Sequence, residues 1–499
     1  MRKRSPKKAG SANFRGEITV FLALSLSACI LFAEAALESA RAFMLRVQAE
    51  NALESAMDSL FAGYDADLFE KYGILFLNRA QLPQNLTVEE LLEDSMGAEL
   101  NPSYGRITVG GNLLRSSVVS VQVTETRDPV SYAQGEYYAR SVLDYMKYRA
   151  VAEKIQEIRS SEEISQLGEE ARKQNEINRS ADSEAVKQAE KDLEEIGKEE
   201  GKEDWKNRTE EDIEKSFIGR VDELRKEGIM RLVVPSVDAV SHAAVPYSDY
   251  PSLHYADSVY SPLSFMKETS ISLLLADYAM EHFRCYADGG GDGALRYEQE
   301  YILSGKSNDY DNLSACIDSL LLVREGMNIL TLASTPRLLA EASAFTAELV
   351  GWTGSGAVSA VTEGAVVASW AFGEAVLDVR SLLAGEKVPL QKTGEEWVTR
   401  LERMIPLLTG KNRTTAHYNR GMDYGDYVCM LMLKVQRKKR QYRMMDLTEF
   451  DLRRSDPDFR MQNCVYGMSV TVTVTSLPLF SGIGSTGEFL FTVSGSRMY

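Results

Sequence analysis

Sixteen residues near the start of the chain, Ile18–Ala33, carry no charge, and neither Pro nor Gly occurs between Gly16 and Gly63. Glu34, Glu38, Arg41 and Arg46 then enter at helical spacing. This pattern predicts one continuous helix, apolar all round at first and amphipathic afterwards. A helix needs about 20 apolar residues to cross a bilayer. Ile18–Leu37 supplies that length if Glu34 lies at the interface, where a carboxylate costs far less than at the bilayer centre. The chain is therefore expected to be anchored by residues 17–64, a transmembrane helix continuing into a stalk, with all that follows on one side of a membrane.

Charge supports an orientation. Residues 1–16 hold six basic residues and no acid, and removing that tip from the net −17 leaves −23 on the rest. Basic residues before an apolar helix stay in the cytoplasm, so a cytoplasmic tip and an extracytoplasmic bulk are expected. An acidic bulk lacks the clustered Lys and Arg that phosphate backbones require, which argues against nucleic acid as a partner. Two further fates of the apolar run have residue signatures. Ala33-Glu34-Ala35 has the form of a signal cleavage site, and Leu26-Ser27-Ala28-Cys29 has that of a lipobox. Against both, apolar residues at helical spacing continue from Ala35 to Leu60.

Beyond the stalk the chain reads as α+β, mainly α. Residues 65–130 together with 466–499 are expected to form an α/β part with a small antiparallel sheet. Its strands would be Arg106–Val109, Ser117–Thr124, Ser469–Thr475 and Glu488–Val493. Alternation places Val119, Val121 and Val123 on one face, and Phe489, Phe491 and Val493 on another. Residues 131–240 are expected to hold a helix and a charged arm (160–216), dense in Glu and Lys, that is a solvated hairpin or partly disordered rather than a coiled coil. Residues 241–465 form a large helical body. Within it, Ala357–Ala371 is apolar enough to suggest a second span, but Glu348, Glu363 and Glu374 interrupt the surrounding stretch, with glycines at 351, 354, 356 and 364, and favour a buried helix pair. Val428–Val435 is expected to be a core helix ending in Arg437-Lys438-Lys439-Arg440, where cations complement the helix dipole.

Chemistry-bearing motifs are sparse. Cys285, Cys316, Cys429 and Cys464 allow three disulfide pairings. The spacing of cysteines and histidines suits neither structural zinc nor a metalloprotease helix, and no phosphate-binding glycine loop or nucleophile motif is present. We expect no catalytic residues, no cofactor and no metal. Tyr297, Glu298, Glu300 and Tyr301 are expected to gather around Arg324, and Asp378 to pair with Arg380, as architecture.

Arg15-Gly16 before an apolar helix resembles the start of TadE/TadG-type pseudopilins, as does the Gln/Asn/Ala/Asp-rich run Leu45–Ala52 with Ala56-Met57-Asp58. Those proteins carry Glu five residues after the processed Gly; here that place is Phe21, and the nearby acid is Glu17. Leu295–Leu330, Ala375–Trp397 and Arg443–Met468 resemble an uncharacterised domain-of-unknown-function family of Gram-positive anaerobes found near Tad/Flp pilus genes. The resemblance implies a pseudopilin-like, membrane-anchored component of such an apparatus. Gly16, Glu17, Phe21 and Glu34 would set the anchor, and Ala40, Met44, Val47 and Asn51 would face a partner helix. Ala36–Ala49 is expected to stay free for that contact. An extracytoplasmic ligand-binding or sensing module on one anchoring helix is the alternative.

Overall fold

A computed structural model describes residues 14–83, 86–101, 113–131, 135–149, 217–255, 268–350, 356–409, 414–480 and 487–499. The expected strand at Arg106–Val109 and the charged arm of 160–216 lie outside these residues. In chain order the helices are α1 (Phe14–Ala62), α2 (Ala66–Tyr72), α3 (Val88–Leu100), α4 (Glu136–Arg149), α5 (Phe217–Glu227), α6 (Ile229–Val233) and α7 (Glu268–His282). They continue with α8 (Glu298–Ser304), α9 (Asp309–Ser334), α10 (Pro336–Val350), α11 (Gly356–Leu383), α12 (Met404–Thr409), α13 (Tyr424–Met432) and α14 (Arg437–Ser455). Strands are β1 (Leu77–Asn78), β2 (Ser117–Arg127), β3 (Cys464–Val465), β4 (Gly467–Ser476) and β5 (Phe489–Met498). The fold is α+β, mainly α, in two compact units.

The first unit comprises residues 1–65, 75–128 and 463–499. Its sheet has the order β2-β4-β5, antiparallel throughout, so a strand from early in the chain pairs with one from its far end. Val470, Val472 and Val474 of β4 and Phe491 and Val493 of β5 point to one buried face, against which α1 and α3 pack. The buried side of α1 is Leu45, Ala49, Ala52, Leu53, Ala56 and Met57. β5 comes close to α1 at Gly495: a Cβ there would stand 3.2 Å from Leu53 Cδ2 and 3.3 Å from Met57 Sδ, so those side chains would have to give by a few tenths of an ångström. A reciprocal capping box opens α3. Thr87 Oγ1 accepts from Glu90 N at 3.2 Å, and Thr87 N donates to Glu90 Oε2 at 2.7 Å, which satisfies two otherwise unpaired donors.

Strand β2 corrects the alternation read from sequence. Its register against β4 shifts between Val118 and Ser120. Such a bulge adds one residue and moves side chains to the other face. Val118, Val121 and Val123 therefore pack on the core, while Val119 is exposed.

The second unit comprises residues 66–74 and 129–462. It is built around the neighbouring helices α9 and α11. Trp370, Phe372, Val376 and Val379 of α11 are buried, as are Leu313, Ile317, Leu320 and Val323 of α9. Within the run Ala357–Ala371, Val366, Trp370 and Ala371 are thus buried against protein. Among the described residues, only the α1 segment is long and apolar enough to cross a membrane; its most apolar window has a mean hydropathy of 2.2 and no buried residue.

The basic run Arg437–Arg440 opens α14 instead of closing the preceding helix, which ends at Met432. Cations at a helix N-terminus oppose its dipole by roughly 0.3–1 kcal/mol each. Arg437 offsets this by bonding Glu136 Oε1 at 2.7 Å and Oε2 at 3.1 Å, together with Glu268. Arg440 donates to Ser272 O at 3.2 Å.

Candidate partner-helix face

At 100° per residue, positions 40, 44, 47 and 51 of a helix fall within a narrow sector. The structure puts Ala40, Met44, Val47 and Asn51 on the exposed side of α1, nearly opposite Leu45, Ala49 and Ala56. Met44 is 56% exposed and Val47 39%. Beside them, Phe43, Met44, Val47, Gln48, Asn51 and Ala52 with Glu99 of α3 line an open groove of about 350 Å³. One wall is fixed by α3, where Gln48 Nε2 donates to Leu100 O at 3.3 Å and Ser55 Oγ bonds Glu99. The groove is apolar at its stalk side and carries one carboxylate at its rim, a form suited to another apolar helix with small or polar residues at the contact.

The free segment is shorter than the sequence suggests. Ala49 is fully buried, and Ala52 is 3% exposed. Helical periodicity finds both stripes of α1 but cannot say which one the sheet covers; β5 and α3 decide that. Of the anchor residues, Phe21 is 69% exposed on the apolar turns, and Glu34 is half-buried at their end. Gly16 and Glu17 fall in the first helical turn, and the side chain of Glu17 lies outside the described set.

The second unit holds a concentrated buried polar cluster, and its pairing differs from expectation. Arg324 does not join the Tyr297–Tyr301 cluster. It donates to Asp378 Oδ2 from Nε at 3.0 Å and Nη2 at 2.9 Å, and from Nη1 to the carbonyls of Pro389 and Leu390 and to the Tyr427 hydroxyl. Lys392 Nζ lies 2.5 Å from Asp378 Oδ1 and 2.5 Å from Glu374 Oε1. All four charged side chains have no exposed surface. Two cations and two anions balance there, and burial, which alone would raise the Asp378 carboxyl, is outweighed by Lys392 and Arg324, which hold it below its ordinary range. Arg380, the expected partner of Asp378, instead caps backbone with bonds to the carbonyls of Leu232, Leu407 and Leu408. A sealed, mutually satisfied cluster of this kind fixes helix positions and offers no approach to a substrate.

The Glu298–Glu300 segment is organised by its own neighbours. Glu300 accepts from the Tyr424 hydroxyl at 2.7 Å and Tyr286 N at 2.9 Å; Glu298 accepts from Arg284 N at 2.8 Å. Tyr301 donates to Asp446 Oδ2 at 2.8 Å. Burial pushes Glu298, Glu300 and Asp446 each up to about 7.

A family model, the family of unknown function DUF5702, matches residues 207–476, 270 of the 499 in the chain. The chain belongs to this family. No curated protein and no solved structure matches it. In this DUF5702 protein the cysteines are not paired as the sequence allowed: Cys285, Cys316 and Cys429 are free thiols. Burial raises all three, Cys429 to about 11, so they resist ionisation and serve as packing groups. Cys285 Sγ rests 3.2 Å from Asp288 Oδ2, and Cys316 Sγ 3.4 Å from the Tyr424 hydroxyl. Cys464 is buried in β3, opposite Asn78 of β1.

Proposed function

We propose that this protein is a non-enzymatic structural or assembly component of a Tad/Flp-type pilus or related secretion apparatus. It is held by one membrane helix, with its basic tip in the cytoplasm and its bulk outside. The observation that carries the reading is the stripe Ala40, Met44, Val47 and Asn51, exposed directly beyond the apolar turns of the same helix and bordering a groove. A stalk that only joined an anchor to its own domain would gain nothing from large apolar groups such as Phe43, 71% exposed, on the free side. Exposed apolar patches of this sort mark interaction surfaces. The partner is a second apolar helix from a pseudopilin-like protein.

Photo-crosslinking in the producing cell tests this. A crosslinking residue in place of Met44 or Val47 is expected to capture another single-helix membrane protein of the pilus apparatus, whereas one at Val119 is not. Capture of lipid alone from both stalk positions would overturn the partner reading. Protease treatment of intact cells tests the orientation separately: the bulk is expected to be cut and the N-terminal tip protected.

A further inference from the structure

We infer that one end of the three-stranded sheet is a second membrane contact, an apolar collar that rests in the interface of the same bilayer the α1 helix crosses. The inference uses the membrane-span part of the proposed function and nothing about pilus partners. Its starting point is a clamp. Glu38 and Arg41 are the first charged residues of α1 after Leu37, the end of an apolar run whose last turn holds Glu34. They form an ion pair at 2.8 Å. Arg41 also donates to Leu113 O at 2.5 Å and Ser476 Oγ at 2.7 Å; Glu38 Oε2 accepts from Leu479 N at 3.2 Å. Ser476 Oγ in turn donates to Arg115 O at 2.7 Å. The segments leading into β2 and out of β4 are thereby tied to the helix at the level where it leaves the hydrocarbon. At 1.5 Å per residue, Leu37 and Arg41 are about 6 Å apart along the axis.

The surface beside that clamp is apolar. Leu113, Leu477, Leu479, Phe480, Phe489 and Leu490 are 63%, 71%, 41%, 43%, 40% and 58% exposed. Register places them together: Ser117 pairs with Thr475, and Ser476 with Phe489, so the start of β2, the end of β4 and the start of β5 form one edge of the sheet. At the opposite edge Gly467 pairs with Met498, and the side chains of Asp58 and Arg497 form an ion pair at 2.8 Å. Leucine and phenylalanine at the depth of the headgroups, with Arg115 beside them, match what monotopic elements present to lipid. A bilayer is the occupant because the helix that the collar grips is itself the span.

The test uses the full chain in nanodiscs, with Cys29→Ala to remove the exposed native thiol and the labelled Cys29→Ala parent as background. An environment-sensitive fluorophore is attached at Leu490→Cys or Phe480→Cys, at Met498→Cys on the far edge, and at Phe32→Cys within the span. Lipids carrying a nitroxide at a shallow position serve as quenchers. Expected are loss of fluorescence at Leu490 and Phe480 and little loss at Met498. Quenching of Phe32 by deep-nitroxide lipids, with no quenching of Leu490 or Phe480 by the shallow-nitroxide lipids, would overturn the collar and leave the span intact. Absence of quenching at Phe32 as well would remove the span and the collar together. Unchanged thermal melting of the four variants shows that each reports on the folded protein.

Discussion

Asp378 takes hydrogen bonds from Arg324, Asn328, Tyr418 and Lys392, and every one of those donors is buried. Removing one partner from such a cluster leaves an uncompensated charge in the interior, which costs far more than the intact pair contributes. Asp378→Asn is therefore expected to destabilise the protein by about 3–5 kcal/mol, read as a lower urea midpoint with an unchanged slope. A shift of only a few tenths would mean that water reaches the cluster and solvates the charge left behind. No local signal announces this site: Arg324 and Asp378 are 54 residues apart, and the nearest basic residue to Asp378 in sequence, Arg380, bonds backbone instead. Sequence spacing ranks partners by proximity along the chain, whereas facing helices rank them by height along two axes.

Among the elements, α1 was the most legible and also the most instructive. An uncharged run followed by charges at helical spacing specifies a helix, because its information is local and repeats every 3.6 residues. The side of that helix which is covered depends on β5 and α3, and no periodicity within residues 36–62 records it. Ala49 and Ala40 now separate. Ala49 is fully buried against the sheet, so Ala49→Asp is expected to unfold the first unit by placing a carboxylate in an apolar core. Ala40→Asp and Met44→Lys are expected to leave the melting temperature within the small range of surface substitutions while abolishing co-purification with partner proteins. Equal thermal losses for all three would make the exposed stripe part of the core. The strands show the same division. Alternation in β4 was plain from Ser469 to Thr475, but the bulge at Val119 is set by pairing with β4 and has no signature in the residues of β2. At the head of α3, Thr87→Ala is expected to cost about 1 kcal/mol, since it opens the capping box that Thr87 and Glu90 form.

For the molecule as a whole, the buried carboxyls set how stability follows pH. Glu298 and Glu300 have an ordinary value of 4.5 and Asp446 one of 3.8, and burial in the folded protein raises each to about 7. Glu449 and Asp318 are raised by burial as well. Between the unfolded and folded values the native state binds more protons than the unfolded chain, so unfolding free energy falls as pH rises through that interval. The stabilising share of these groups is complete below about pH 4 and is lost by the time pH has passed about 7. Asp378 has the opposite sign, being held low, but its contribution disappears only in acid below its unfolded value of 3.8 and leaves the neutral range untouched. The melting temperature is thus expected to rise as pH falls from about 8 to about 5.5. Glu300→Gln is the sharpest control, because Glu300 Oε2 lacks a hydrogen-bond partner, a place where an amide substitutes for the protonated acid. That variant should flatten the pH dependence and melt higher than the parent at pH 8. A parent whose melting temperature climbs from pH 5.5 to 8 would show that these carboxyls stay ionised in the fold.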